Sequence, residues 1–280
     1  MHFLQGIQCP AMVERSPRLS TRRMAFHIGG VSHMLVLRAL HEEDYYPYHD
    51  QPVQHLEPGD HAKRTDFCRW IQAHSELLGV ILFTDEASFT RDDVSNSRNV
   101  HKWSQDNPHD TTVTTFQSRF SVNACCGVIG DRLIGPFVLE KNVRGDTYEV
   151  FMRNELPGLL EDIPLMVRGQ MYFQHDGAPP HYSRLARESF PNRWLGRGGP
   201  VAWPPRSPDL TPLDYYIWGH MKTLVYEMKV DSRAELRARI FSVAEQIRNH
   251  PDRIASAIQS LLIRAEKCLA NGDGHFEQLL

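Results

Sequence analysis

Gln170-Met171-Tyr172-Phe173-Gln174-His175-Asp176-Gly177-Ala178-Pro179-Pro180-His181 is the stretch on which the reading of this chain turns. It begins as a short alternating, aromatic run, which is the pattern of a strand. It then stops at an acid, a glycine and two prolines, which end any ladder. Asp176 is therefore expected at the C-terminal tip of a strand, pointing beyond the sheet edge. A carboxylate placed there makes a rigid metal ligand, and the loop after it leaves room for a substrate. The alternative is a turn aspartate that caps its own loop. On this stretch alone the turn has the better claim, because aspartate is so common in turns. The rest of the chain reverses that balance.

The chain has 280 residues, enough for one large domain and a small one. Its 41% hydrophobic and 23% charged residues are those of an ordinary soluble globular protein. A net charge of -3 does not advertise nucleic-acid binding. The charge is uneven, however: Arg15, Arg18, Arg22, Arg23 and Arg38 face the single acid Glu14 between Glu14 and Leu40. A local basic face binds phosphates whatever the total charge is. The five cysteines form no C-x-x-C pair, and neighbours Cys125 and Cys126 cannot face one side of a strand. This predicts a reducing compartment, with neither a zinc site nor a disulfide framework. No apolar run approaches about 18 residues, and the N-terminus carries no signal-peptide pattern.

His2 to Pro17 reads as unstructured. Ser20 and Ser32 are good N-caps for two short helices, Thr21 to His27 and His33 to Leu40, joined across Gly29-Gly30. This is a helix-turn-helix pattern with a lengthened turn, and any helical hairpin is the plainer alternative. The candidate DNA contacts are Arg22, Arg23, Ser32, His33 and Arg38. Tyr45 to Asp60 reads as an extended linker, and Ala62 to Leu78 as a helix. Val80 to Phe83 is a continuous apolar run, as in a strand covered on both faces, and it ends on Asp85. Asn99 to Trp103 is a candidate short segment. Arg119 to Val128 and Arg132 to Leu139 form a hairpin around Gly130-Asp131, which makes the first three strands a meander. A helix from Asp146 to about Leu160 is interrupted at Pro157. After the opening strand come a helix from Ser183 to Phe190 and a last short strand, Val201 to Trp203. Thr211 caps a helix with Pro212 at its first position and Asp214 in its first turn. Ser232 to His250 and Pro251 to Leu269 are two further amphipathic helices. The domain plan is thus 1–44 helical, 45–78 linker and connecting helix, and 79–280 an α/β domain.

Three acids stand out by context. Asp85 and Asp176 each follow an apolar strand, and Asp214 opens a helix behind a rigid Pro204-Pro205-Arg206-Ser207-Pro208-Asp209-Leu210 loop. The first strand and a later parallel strand can be neighbours, which brings Asp85 and Asp176 together. Three carboxylates in one pocket repel unless cations neutralise them, so the arrangement predicts Mg²⁺ or Mn²⁺. Two such ions about 4 Å apart suit phosphodiester displacement. Each acid has a plainer role open to it: a strand-end turn for Asp85, a loop cap for Asp176, a helix-dipole partner for Asp214. Glu86, Asp92 and Asp93 read as solvated neighbours and Asp209 as a loop brace. His175 and His181 are read as phosphate contacts or loop orienters, since Mg²⁺ prefers oxygen. Trp103, Trp194, Trp203 and Trp218 read as core or loop anchors. Arg197, Arg206 and Lys222 either line a DNA path or are ordinary surface charge.

Phe83-Thr84-Asp85-Glu86, His175-Asp176-Gly177-Ala178-Pro179 and Ser207-Pro208-Asp209-Leu210-Thr211-Pro212-Leu213-Asp214 together carry a resemblance to the mariner-type branch of the DDE/D transposase superfamily. The SPDL-x-P-x-D pattern is the most specific of the three. The 37 residues between Asp176 and Asp214 suit the all-aspartate branch. The resemblance runs from about Ser20 to the C-terminus. It implies an RNase H-like mixed sheet flanked by helices, with a small all-helical segment before it. It also implies a divalent-metal triad of Asp85, Asp176 and Asp214, cut-and-paste transposition, binding to terminal inverted repeats and target DNA, a homodimer and a nuclear location. The family has two helix-turn-helix units, of which only the second is visible here, so the N-terminus reads as truncated. The alternative function is a catalytically silent, transposon-derived DNA-binding protein. A non-transposing nuclease of the same fold is a third reading.

Overall fold

A mixed five-stranded sheet organises the larger part of the chain in this computed structural model. The structure describes residues 9–16, 19–46, 53–91, 120–139, 145–178, 184–272, 274–277 and 280. The segment Asn99 to Trp103, residues 47–52 of the linker, residues 179–181 at the end of the opening stretch, and the acids Asp92 and Asp93 lie outside them. Strands β1 (Ile81–Thr90), β2 (Ser121–Ile129) and β3 (Arg132–Leu139) form the expected antiparallel meander. Strands β4 (Tyr172–Gln174) and β5 (Trp194–Leu195) run parallel to β1, and the sheet order is β3-β2-β1-β4-β5.

Two expectations about strand ends need correction. β1 does not end at Asp85; it continues to Thr90 because β2 pairs with it from Phe83↔Val128 to Thr90↔Ser121. The last parallel strand is Trp194–Leu195, and Val201 makes only one bridge, to Leu195. Glycines 196, 198 and 199 before it weaken a strand by their freedom, and the Pro204-Pro205 pair after it has no N–H to continue a ladder.

Period-two alternation explains why the sheet is covered on both faces. Ile81, Phe83 and Phe89 of β1 join Cys126 and Val128 of β2 in one core, while Leu82 joins Cys125 and Ile129 in the other. Adjacent Cys125 and Cys126 are thus both buried, on opposite faces. The first face packs on α4 (Pro58–Ala73), α9 (Trp218–Val225), α10 (Arg233–Arg248) and α11 (Pro251–Ala270). The second packs on a helical segment made of α5 (Gly145–Val150), a π-helical turn Phe151–Glu155 and α6 (Leu156–Leu159). Each fully buried Phe, Leu or Ile contributes about 1.5–3 kcal/mol relative to exposure. The break expected at Pro157 is a wide turn placed just before it, with Pro157 in the first turn of α6, where its missing N–H costs no bond. Between β4 and its flanks lie α7 (Leu165–Gln170) and α8 (Arg184–Ser189).

α4 begins at Pro58, earlier than read from sequence, because Glu57 and Asp60 form a capping box around its N-terminus. It ends at Ala73, and Ser75–Val80 is a tighter 3₁₀ segment leading into β1. α10 and α11 match their expected spans; Ser232 Oγ caps α10 by accepting from Glu235 N–H at 3.1 Å.

The chain divides into two compact units, Met1–Pro52 and Val53–Leu280. The first contains α1 (Cys9–Arg15), α2 (Thr21–Ile28) and α3 (His33–Glu42) around a small core of Cys9, Met24, Ala25, Val36, Ala39 and Leu40. Over Cys9–Arg15, α1 corrects that part of the unstructured reading of His2 to Pro17: Cys9, Met12 and Val13 supply an apolar face that a seven-residue helix without a cap signal conceals. Ser20 and Ser32 cap α2 and α3 as expected, accepting from Arg23 N–H and Leu35 N–H. The turn between them needs glycine, since Gly29 and Gly30 have φ of 75° and 70°. Among the described residues no helix is long and apolar enough to cross a membrane.

Candidate active site

Asp85 and Asp176 are brought level by register. β1 and β4 pair in parallel up to Phe83↔Gln174, and each aspartate lies two residues further on its own chain. The pair is pinned just below: Thr84 Oγ1 donates to Gln174 O at 2.6 Å, and Thr84 N–H to Gln174 Oε1 at 3.2 Å. β4 ends there while β1 continues, so β1 loses its neighbour on that side and a cleft opens. Asp176 also accepts from Ala178 N–H at 2.9 Å. It is therefore a loop cap and a cleft carboxylate at once, and the two readings of the opening stretch are not exclusive.

Asp85 shares the parity of Phe83 and Phe89 and so faces the helices of the first core. There its Oδ2 accepts from Trp218 Nε1–H at 2.7 Å. Trp218 had no site role by sequence. The signal was its place four residues after Asp214, one helical turn along the same face. Asp214 lies in a π-helical turn, Leu213–Ile217, that precedes α9. Such turns gather at functional sites. Its cap differs from expectation: Pro212 holds the cap position. Thr211 is buried, and its Oγ1 has no hydrogen-bond partner among the described residues.

Asp85, Asp176 and Asp214 line one cleft of about 710 Å³, with Glu86, Thr84, Gln174, Lys63, Arg197 and Arg206 among its other walls. Withdrawal from water, and then the Asp214 charge, push the Asp85 carboxyl up to about 8 against the lowering effect of the Trp218 hydrogen bond. Burial and then the Asp176 charge raise Asp214 to about 6, opposed by its hydrogen bond with Asp85. Asp214 is exposed to the cleft, so for it the repulsion of neighbouring carboxylates is the firmer cause. Among the described residues no three such groups close on a single point. An all-oxygen donor set short of protein ligands still suits Mg²⁺ or Mn²⁺, since Mg²⁺ keeps several waters and takes only one or two carboxylates.

The remaining sequence candidates fall differently. Glu86 is half-buried rather than solvated and hydrogen-bonds with the Cys125 thiol. His175 is no phosphate contact. It is 1% exposed, with its ring 5.6 Å from Phe173 and 5.5 Å from Trp194 by centroids, because one more residue of β4's direction carries it into the second core. His181 lies outside the described residues. Asp209 braces the loop: Arg64 Nη1–H donates to its Oδ1 at 2.8 Å and Arg64 Nη2–H to its Oδ2 at 2.5 Å. Arg64, fully buried on α4, was missed because one arginine in a helix looks like surface charge. Arg197 is exposed at the cleft, Arg206 is tied to Asp60, and Lys222 Nζ sits 5.7 Å from the Phe89 ring centroid. In the separate N-terminal unit Arg22, Arg23, Ser32, His33 and Arg38 are all exposed, the Ser32 hydroxyl being occupied as the α3 cap.

No family model matches the chain, and no curated protein matches it. Solved structures do. A pre-cleavage Mos1 transpososome is 20% identical, with a TM-score of 0.75 over 96% of this chain and 79% of that one. The Mos1 mariner paired-end complex with Mn is 22% identical, with a TM-score of 0.72 over 96% and 79% of the two chains. The Mos1 transposase catalytic domain with raltegravir and Mg is 20% identical, with a TM-score of 0.59 over 80% of this chain and all of that one. At these identities the likeness establishes the fold, an RNase H-like mixed sheet flanked by helices, with an all-helical unit before it in the chain.

Proposed function

We propose that the chain is a mariner-type transposase, a DNA-binding unit joined to a metal-dependent DNA nuclease and strand transferase. The observation that carries this reading is the meeting of three separate sequence motifs in one cleft: Asp85 from β1, Asp176 after β4 and Asp214 before α9. The fold it shares with Mos1 supports the reading, as do the words paired end and transpososome and the Mn or Mg in the names of those structures. Asp85, Asp176 and Asp214 would hold one or two divalent cations, which supply Lewis acidity to the attacking and leaving oxygens of an in-line displacement. The chain's own part is to hold these carboxylates rigidly. Trp218 orients Asp85, the Ala178 amide orients Asp176, and the first turn before α9 presents Asp214. Hydrolysis at an element end forms a P–O bond to the water oxygen as the P–O3′ bond breaks, and so frees a 3′-hydroxyl. That hydroxyl then attacks a target phosphodiester, forming one P–O bond as another breaks. Exposed Arg22, Arg23, His33 and Arg38 would hold DNA, and the assembly would be a homodimer acting in the nucleus.

The test is nicking of double-stranded DNA carrying terminal inverted repeats, with Mg²⁺ or Mn²⁺. Asp176→Ala abolishes nicking while the melting profile stays cooperative. Nicking that survives the substitution refutes the assignment. DNA binding that persists in chelator, with no cleavage in either metal, supports the catalytically silent alternative instead.

A further inference from the structure

Two arginine–carboxylate forks, running in opposite directions, join α4 to the loop that delivers Asp214. Arg64 on α4 reaches the loop, where its guanidinium donates to both oxygens of Asp209 and to Ser207 Oγ at 2.8 Å. Arg206 on the loop reaches back to α4, with Nε–H donating to Asp60 Oδ2 at 2.6 Å and Nη2–H to Oδ1 at 2.8 Å. Asp60 and Arg64 are four residues apart and so share one face of α4. Arg64 and Asp60 are 0% and 2% exposed.

The loop between them is strained and braced at once. Arg206 has φ of 53°, a left-handed conformation uncommon for a residue with a side chain. Such outliers persist only where the surroundings over-determine them. Here the surroundings are the Asp60 fork, a second ion pair to Glu57 at 3.2 Å, Ser207 Oγ–H donating to Pro205 O at 3.0 Å, and Arg264 donating to Asp209 O at 3.1 Å. Leu210 and Leu213, either side of Thr211-Pro212, are fully buried. The segment from Pro205 to Asp214 thus has little freedom of its own once both forks are closed. A bidentate fork fixes direction as well as distance, which a lysine in either place would not do.

We propose that Asp60 and Arg64 of α4, with Arg206 and Asp209, are positioning residues that set where Asp214 stands relative to Asp85 and Asp176, and so set the metal affinity of the cleft. This rests on the reading of those three acids as metal ligands. Partners that orient a ligand from behind typically change metal affinity or activity by about 10–100-fold when lost.

The informative variant is Arg206→Gly. Glycine accepts φ of 53° without strain, so it opens one fork while relieving the backbone. Asp60→Asn is the second variant, since it keeps the shape and removes the charge. Mn²⁺ affinity is measured by calorimetry on the full chain without DNA, alongside thermal melting and nicking as a function of Mn²⁺. Both variants are expected to bind Mn²⁺ about 10-fold more weakly or worse and to recover nicking at high Mn²⁺. Arg206→Gly is expected to melt close to wild type. Unchanged Mn²⁺ affinity in both variants overturns the proposal, whatever happens to melting. Wild-type protein that takes up no Mn²⁺ overturns it together with the metal site. Wild-type protein that binds Mn²⁺ but never nicks DNA, with weakened binding in the variants, overturns the proposed activity and supports the positioning role.

Discussion

Asp85→Asn should make the metal-free protein more stable while destroying its metal response. The asparagine oxygen still accepts from Trp218 Nε1–H, so the local shape is kept. What disappears is a charge that the cleft resists, because burial and Asp214 hold the Asp85 carboxyl up at about 8 against an ordinary value of 3.8. Each unit is about 1.4 kcal/mol, which puts a ceiling of roughly 4 kcal/mol on the strain at pH 7. Water reaching this half-buried site and its coupling to Asp214 reduce that to the order of 1–3 kcal/mol. For a unit of this size that is a melting rise of about 2–10 °C. The sign follows from proton linkage. The folded state binds the Asp85 proton more tightly than the unfolded state, so wild-type stability without metal falls as pH rises from about 4 to about 8. The variant loses that slope, and the two proteins converge near pH 4–5. Saturating Mg²⁺ reverses the order, since ligand at 100 times Kd adds about 2.7 kcal/mol to wild type and little to the variant. Calorimetric melts at several pH values, with chelator and with Mg²⁺, decide it. A variant no more stable than wild type in chelator at pH 7.5, or one stabilised equally by Mg²⁺, refutes the crowding argument.

Arg64→Ala leaves Asp209 buried without its partner and should cost on the order of 3–5 kcal/mol in urea unfolding, while Arg64→Met with Asp209→Leu recovers much of it. A cost below about 1 kcal/mol would mean the pair is not closed. Gly196→Ala places a Cβ 2.6 Å from His175 Nε2 and 3.0 Å from Trp194 Cζ3. Relieving that overlap should cost about 1–3 kcal/mol and loosen the turn beside Asp176, read as faster amide exchange at residues 175–178. Arg22→Ala with Arg23→Ala should weaken DNA binding evenly across sequences and lower the salt slope by about 2, with nicking at saturating DNA little changed.

The sheet was legible where side chains obey a period. Val80 to Phe83 read as a strand covered on both faces, and alternation from Ile81 onward along β1 and β2 delivers that. Strand ends were not legible, because they depend on partners. Asp85 follows an apolar run, yet β1 continues past it since Cys126 and its neighbours keep pairing. Only the short parallel strand stops, at Gln174. The three aspartates were singled out by local context, two of them following apolar runs and one opening a helix behind a proline-rich loop. Their supports were not, because Arg64 with Asp209, Arg206 with Asp60, and Trp218 with Asp85 join residues more than a hundred positions apart. The buried His175 misled for a related reason. Beside an acid in a loop it looks functional, and only the parity of β4 and the close approach of Gly196 place it in the core.

These supports explain how a fold tolerates an arrangement that electrostatics opposes. Left alone, crowded carboxylates would move apart or take up protons, and burial first, then the neighbouring charge, favours the second response by raising Asp85 to about 8 and Asp214 to about 6. Moving apart is prevented by different means for each acid. Asp85 is locked in a ladder and by an indole, Asp176 by its own loop amide, and Asp214 by a loop bound through two guanidinium forks. None of these contacts neutralises the cleft. The two arginines that hold the Asp214 loop, Arg64 and Arg206, are spent on Asp209 and Asp60. A protein selecting for stability alone would place one of them between the carboxylates. Rigid acids held close enough to raise one another's pKa are what a site for an external divalent cation requires, and the rise in melting temperature of Asp85→Asn measures how much stability that requirement costs.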